Sequence, residues 1–202
     1  MKFYHNIITQ KSWGELTKLG KIADFVLIGG WAIYLYTKAL KSKDIDILVE
    51  FDQLGNLKKA YDVVKNERLK KYEARREEIQ IDVYLPHFSF LGIPAEDLMD
   101  KTSSIEGFTI LKKEWLFALK LYVLGKRARS AKGEKDFLDI LSLFQSGIDT
   151  NLANKIIKKY RLENSFEFFI DILNERVEAP ELNISRHKYK KLKTKIGPTR
   201  NG

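Results

Sequence analysis

The chain has 202 residues, a hydrophobic fraction of 44 % and a formal net charge of +9. Its length and composition predict one or two compact units with enough apolar residues to form a core. Because the sequence contains no cysteine, disulfides, thiolate zinc sites and cysteine nucleophiles are excluded. No apolar run has the length of a membrane-spanning helix, and the N-terminus lacks the apolar core of a signal peptide. We therefore expect a cytoplasmic protein without a membrane partner.

The first informative segment is a strand that ends in two glycines. After a predicted N-terminal helix over 7–20, the apolar run 25–29 predicts a buried strand. Gly29 and Gly30 end this strand, and 31–40 is predicted to be a helix. Glycine lets the backbone approach a ligand closely, and the free N–H groups at the start of a helix attract phosphate oxygens. This turn is therefore a candidate phosphate-binding element.

Three carboxylates follow on alternating segments. In the predicted strand 43–49, Asp44 and Asp46 lie on one face while the intervening isoleucines point into the core. A second alternating strand over 78–85 carries Asp82. Adjacent carboxylates repel one another, and Mg²⁺, which prefers oxygen ligands and substrate phosphates, would relieve that repulsion. The alternative is that all three acids lie on an ordinary solvated strand face.

The remaining elements complete an α/β prediction: a small mixed β-sheet core followed by a helical unit. We expect a helix over 53–67, a charged strand edge and turn over 68–78, a short helix over 94–98 and strands near 103–111. Helices then dominate, over 112–127, 131–145, 149–159 and 162–177, with Pro180 ending the last one. The predicted domains are a core over 1–111, a helical unit over 112–180 that completes a cleft for a nucleotide, and a basic tail over 181–202.

Lys120 is the only charged residue between Glu114 and Lys126 in the predicted helix 112–127. An ammonium group in such an apolar stretch needs an anion or a path to solvent. Asp136 and Asp139 share one face of the next predicted helix. A triphosphate is one candidate partner for Lys120, and an ion pair with Asp136 across two packed helices is the other.

The segment Gly29-Gly30-Trp31-Ala32 through Asp44-Ile45-Asp46 resembles the signature of the DNA-polymerase-β-type nucleotidyltransferase superfamily. That signature has Gly-Gly or Gly-Ser, a short spacer, Asp-x-Asp and a later third acid. Within the superfamily the chain is most similar to the AbiEii-like branch of toxin nucleotidyltransferases. That branch has a lysine on one helix and a Lys-Asp-x-x-Asp element on the next, which match Lys120 and residues 135–139. Lincosamide-type antibiotic nucleotidyltransferases share a similar Gly-Gly-Trp opening.

The resemblance implies transfer of a nucleoside monophosphate from a nucleoside triphosphate (NTP) to a hydroxyl, with Mg²⁺ or Mn²⁺ as cofactor. It implies catalytic and metal-binding roles for Asp44, Asp46 and Asp82. The residues expected to bind the nucleotide are Gly29, Gly30, Lys43, Lys120 and Asp136. The chain departs from the pattern in two places: lysines replace an arginine before Asp-x-Asp and lack its bidentate fork, and Trp31 replaces a small hydroxyl residue.

The basic residues bear on the acceptor. From Asn183 to the end there are seven lysines and arginines and no acid, and they account for most of the net charge of +9. A second basic run lies over 126–135. We expect the end of the chain to be a flexible tail, which either contacts nucleic-acid phosphates or only aids solubility.

Three hypotheses of function follow from these observations. The first is a toxin-like enzyme that modifies RNA, with a tRNA end as the specific acceptor, and that has an antitoxin protein as a further partner. The second is a nucleotidyltransferase acting on an antibiotic or a metabolite. The third is a non-catalytic nucleotide- or RNA-binding module on the same fold.

Overall fold

The computed structural model describes residues 2–196, and the side chains from residue 7 onward. The chain divides into two compact units between Lys112 and Lys113. The first unit contains every strand of the sheet, and the described part of the second is almost entirely helical.

The first unit is built on a seven-stranded mixed sheet with the strand order β3-β4-β5-β2-β1-β7-β6. Its elements are α1 (Lys2–Leu19), β1 (Val26–Ile28), α2 (Gly29–Thr37), β2 (Ile45–Leu48), α3 (Leu54–Ala60), β3 (Asp62–Asn66), β4 (Lys71–Arg76), β5 (Ile79–Tyr84), β6 (Thr102–Ile105) and β7 (Phe108–Leu111). Short 3₁₀ helices lie at Phe51–Gln53 and Ala95–Asp97. The central strand β2 runs antiparallel to β1 and parallel to β5.

Alternating side chains explain why β2 and β5 occupy the centre of the sheet. Ile45 and Ile47 of β2, and Ile81 and Val83 of β5, are fully buried. Because successive strand residues point to opposite faces, the aspartates between them lie together on the other face. With eight helices over residues 2–196 and this sheet, the structure confirms the predicted α/β fold class.

Trp31 is part of the core of the first unit. It is 1 % exposed, and its indole Nε1 donates a hydrogen bond to Ser12 Oγ of α1 at 2.8 Å. The ring of Trp13, also in α1, lies 5.1 Å from it between centroids. The aromatic residue of the Gly-Gly-Trp segment therefore fixes α2 against α1.

Two predicted boundaries in the first unit are wrong. The helix predicted over 53–67 ends at Ala60, and β3 follows as the edge strand, with Val63 and Val64 in register with Ala74 and Glu73 of β4. β-Branched valines favour a strand, and pairing with β4 outweighs the local helical pattern. The strand predicted over 43–49 begins only at Ile45, because the two preceding residues form a bend.

The described helices of the second unit are α4 (Lys113–Arg127), α5 (Ala131–Gln145), α6 (Thr150–Lys159), α7 (Glu163–Glu175) and α8 (Arg186–Ile196), with a 3₁₀ helix at Pro180–Leu182. Phenylalanines from three of them form its core. The rings of Phe117 and Phe144 meet edge to face at 5.2 Å between centroids, and those of Phe144 and Phe169 stack at 6.1 Å. Ser130 caps α5 by accepting a hydrogen bond from the Gly133 amide.

The C-terminal segment differs from the expected flexible tail. Residues 186–196 form the helix α8, in which Tyr189, Leu192 and Ile196 are buried. These three residues recur at helical spacing and give the lysine-rich segment an apolar stripe. Tyr189 also donates a hydrogen bond through its hydroxyl to the Leu173 carbonyl at 3.2 Å. Residues 197–202, including Arg200, lie outside the described part of the chain.

Over residues 2–196, none of the helices combines the length and apolar character needed to cross a bilayer.

Candidate active site

Gly29 and Asp46 of the predicted site lie directly against each other. Gly29 is the first residue of α2 and has a φ of 66°, in the left-handed region that favours glycine. A Cβ atom at this position would lie 2.1 Å from Asp46 Oδ2 and 2.9 Å from Asp46 Cβ. The carboxylate of Asp46 therefore occupies the space that any other residue at position 29 would need, at the N-terminus of α2.

Asp46 and Asp82 lie side by side. Asp46 of β2 is in register with Asp82 of the parallel strand β5, and neighbouring strands are roughly 4.8 Å apart. Both residues alternate with buried aliphatic residues, so their carboxylates lie on the same face of the sheet. The structure thus brings together the glycine turn and two of the three predicted acids.

A buried lysine that sequence reasoning missed holds Asp82. Lys71, only 7 % exposed, places its Nζ 2.6 Å from Asp82 Oδ2 and 3.4 Å from Glu73 Oε1. Gln80 donates a hydrogen bond to Asp82 Oδ1 at 2.7 Å. Glu73 is in register with Asp82, so the acidic row on this face continues from β2 through β5 to β4.

The signal for this part of the site is the alternation in Lys71-Tyr72-Glu73-Ala74. It places the lysine and the glutamate on one strand face, but the dense charge around it indicated only a strand edge. A hydrogen bond from Asn66 lowers the pKa of Glu73; burial opposes this, and the charge of Lys71 adds to the lowering. Glu73 therefore carries a negative charge beside the Lys71–Asp82 pair.

Lys43 and Asp44 precede strand β2 and are not part of its ladder. Both are exposed, on the bend before β2. Among the described residues there is no group of three or more histidines, aspartates or glutamates arranged to hold a metal ion. Asp46 and Asp82 are hard oxygen donors on adjacent strands, which is the donor chemistry that Mg²⁺ prefers. Both their oxygen donors and their position opposite each other on adjacent strands suit such an ion. The role of Asp44 as a third ligand stays a prediction.

The second predicted site, in the helical unit, is a buried cluster of charges. Lys120 Nζ lies 2.7 Å from Asp136 Oδ1 and 2.8 Å from Asp139 Oδ2. Arg127 also pairs with Asp136, at 2.7 Å, and Lys135 with Asp139, at 3.1 Å. The ion pair across two packed helices, one of the two alternatives for Lys120, is therefore present. Contact between Lys120 and a triphosphate stays a prediction.

The charged groups of this cluster are buried. Asp136 is 1 % and Asp139 0 % exposed. Burial by itself lowers the pKa of Lys120, but attraction to Asp139 and Asp136 outweighs it and raises the pKa above the ordinary lysine value. Lys120 therefore stays charged. The second oxygen of Asp139, Oδ1, has no hydrogen-bond partner within residues 2–196.

Comparison with solved structures identifies the fold. The solution structure of the antibiotic-resistance factor ANT(2'')-Ia matches with a TM-score of 0.56 and 13 % identity, over 83 % of this chain and 96 % of that one. A crystal structure of ANT(2'')-Ia in complex with adenylyl-2''-tobramycin matches with a TM-score of 0.53 and 13 % identity, over 75 % and 99 % of the two chains. An antigenic nucleotidyltransferase-like protein from Paracoccidioides brasiliensis matches with a TM-score of 0.42 and 19 % identity, over 82 % and 91 %.

Neither a protein-family model nor a curated protein sequence matches the chain. At 13 % identity, the likeness to ANT(2'')-Ia establishes a shared nucleotidyltransferase fold. Function on a shared fold has to be argued from the site itself.

Proposed function

We propose that this protein is a Mg²⁺-dependent nucleotidyltransferase that moves a nucleoside monophosphate from an NTP to a hydroxyl acceptor. The observation that carries the proposal is the contact between Asp46 and Gly29 at the start of α2, with Asp82 in register on the neighbouring strand. A helix N-terminus offers N–H donors to phosphate, and the paired carboxylates offer oxygen ligands to a divalent cation. The two requirements of triphosphate chemistry thus meet at one turn.

Asp46 and Asp82 would hold the metal ion, with Asp44 as the third carboxylate and Mn²⁺ as an alternative to Mg²⁺. When bound, such an ion neutralises phosphate charge and lowers the pKa of an attacking hydroxyl. The backbone amides of Gly29 and Gly30 orient the phosphate oxygens, and Lys71 holds the carboxylate of Asp82 in place. The reaction joins the acceptor oxygen to the α-phosphorus and releases pyrophosphate.

The other proposed nucleotide contacts are Lys43 of the first unit and, as the resemblance implies, Lys120 and Asp136 of the helical unit. Lys43 is exposed on the bend before β2 and would contact phosphate as a point charge. Lys120 would offset the charge of the leaving pyrophosphate, and Asp136, which pairs with it at 2.7 Å, would orient its ammonium group. Catalysis of this kind depends on placement and electrostatics more than on covalent chemistry of the protein.

RNA is the proposed acceptor, with a tRNA end and a toxin-like role as the specific form. The support is the net charge of +9, because polyanions bind basic proteins through their phosphates. In that role a neutralising antitoxin protein would be a further partner. A small-molecule acceptor is the second candidate, since ANT(2'')-Ia, which shares the fold, was crystallised with adenylyl-2''-tobramycin.

The decisive experiment combines label transfer with a matched pair of variants. The protein is incubated with each α-labelled NTP, Mg²⁺ and either total cellular RNA or a panel of aminoglycosides. We expect label in RNA, a loss of at least about 100-fold in Asp46→Asn, and full activity in Asp52→Asn. Asp52 is an exposed acid of the same unit, and the variant loses the same charge. Circular dichroism checks that both variants fold.

Calorimetry separates the remaining hypotheses. If the wild-type protein binds an NTP with Mg²⁺ but transfers no label to RNA or to aminoglycosides, it is a binding module and not an enzyme. Unchanged turnover in Asp46→Asn would refute the metal assignment. Label only in an aminoglycoside would identify the small-molecule alternative.

A further inference from the structure

The outer face of α8 combines a high charge with few internal partners. Six of its eleven residues are lysine or arginine, and none is acidic. Its apolar residues Tyr189, Leu192 and Ile196 face the helical unit and are buried. Lys190, Lys191 and Lys195 are exposed; the first two lie on the side of the helix away from that stripe and Lys195 lies on its flank.

The other basic run of the chain, over 126–135, is largely neutralised by contrast. Arg127 pairs with Asp136, Lys135 with Asp139, and Arg129 forms two hydrogen bonds with Glu175, at 2.7 and 2.5 Å. In the sequence both runs are basic. The structure distinguishes them, because most of the cations over 126–135 already form ion pairs with carboxylates.

The partners of α8 are few and lie at its edges. Arg186 Nε is 3.4 Å from Glu178, and Lys193 donates a hydrogen bond to the Asn174 carbonyl at 2.9 Å. Within residues 2–196, Lys190, Lys191 and Lys195 form no ion pair. Three cations without counter-charges, spread along roughly 7–8 Å of helix axis, form a rigid array, because the buried stripe fixes α8.

We propose that the exposed face of α8, formed by Lys190, Lys191 and Lys195, binds the phosphate backbone of the RNA acceptor. This inference rests on the proposed function and assigns the part of the chain that holds the polymeric substrate. Phosphate contacts of this kind position a nucleic acid without reading its sequence. An anionic membrane is a weaker fit, because interfacial helices insert apolar side chains, and those of α8 are buried.

The test measures binding of bulk tRNA to the full chain over a series of salt concentrations. In the triple variant Lys190→Gln/Lys191→Gln/Lys195→Gln, we expect the Kd to rise about tenfold or more at moderate salt. The slope of log Kd against log salt concentration should fall by about 2, since each lost phosphate contact removes roughly 0.7–0.9. The matched control, Lys126→Gln/Lys132→Gln/Lys155→Gln, removes the same charge from exposed lysines of the same unit and should leave the slope within experimental error.

Each outcome is decisive. Equal loss of binding in the two variants would mean a general charge effect, and no loss in the α8 variant would place the RNA elsewhere; either result overturns the site. Binding of the wild-type protein to anionic phosphatidylserine vesicles but not to tRNA would also overturn it. The single charge reversal Lys191→Glu repeats the test if the triple variant unfolds. RNA binding through α8 with no label transfer refutes the proposed function alone, whereas transfer that is independent of α8 refutes the site alone.

Discussion

At the scale of single residues, the candidate site depends on glycine at position 29, which has no side chain. Gly29 combines a φ of 66° with the carboxylate of Asp46 in the space where a Cβ would lie. Either condition by itself favours glycine, and together they couple the backbone of the turn to the position of a proposed metal ligand. A change at residue 29 should therefore affect stability and the geometry of Asp46 at the same time.

Gly29→Ala is expected to destabilise the protein by about 2 kcal/mol or more, because the left-handed conformation alone costs about 1–2 kcal/mol for a residue with a Cβ. It should also abolish label transfer, since Asp46 has to move. Gly14→Ala is the matched control: nothing lies within 4 Å of a Cβ there, and alanine within a helix stabilises by about 0.5–1 kcal/mol over glycine. Urea unfolding of both variants gives the comparison, and equal stability of the two would contradict the role assigned to Gly29.

At the scale of secondary-structure elements, α4 and α5 are joined by charge as well as by apolar packing. Lys120 forms ion pairs with the carboxylates of both Asp136 and Asp139, which are 1 % and 0 % exposed. Removing one member of a buried ion pair leaves an uncompensated charge, which usually costs about 3–5 kcal/mol. The cluster therefore controls how these two helices pack, whatever its part in nucleotide binding.

Lys120→Met should lower the free energy of unfolding by up to about 3–5 kcal/mol, because Asp136 and Asp139 lose their shared cation. Arg127 and Lys135 keep one ion pair to each carboxylate, so this range is an upper bound. Lys126→Met, at an exposed position six residues further along α4, should change it by less than about 0.5 kcal/mol. Chemical denaturation monitored by circular dichroism measures both. A small effect at Lys120, similar to that at Lys126, would show that the cluster does not hold the helices together.

Sequence patterns predicted the elements that have strong local signals and missed those that depend on partners. The strand before Gly29 and the helices over 112–127 and 131–145 follow from apolar periodicity, and the structure has them close to those bounds. Strand β3 was missed because its identity comes from pairing with β4. Lys71 was missed for the same reason: its partner Asp82 lies on another strand, and only the register brings the two together.

At the scale of the whole molecule, the two compact units divide the chain into contiguous halves. All seven strands lie before Lys113, and the phenylalanine core of Phe117, Phe144 and Phe169 lies after it. No strand of the sheet has to be supplied by the second half. Each half thus has the hydrogen-bonding partners and the apolar core that an independently folding domain requires.

We therefore expect the fragments 1–112 and 113–202, expressed separately, each to unfold cooperatively, with a predominantly helical circular dichroism spectrum for the second. The control is a division after Ala60, between α3 and β3. It separates β1 and β2 from their partner strands β7 and β5. The backbone groups of β2 that face β5 then lose their hydrogen-bonding partners, so neither piece should fold. Cooperative unfolding of the control pieces, or its absence in the two halves, would show that the stability of the molecule depends on contacts other than those within each unit.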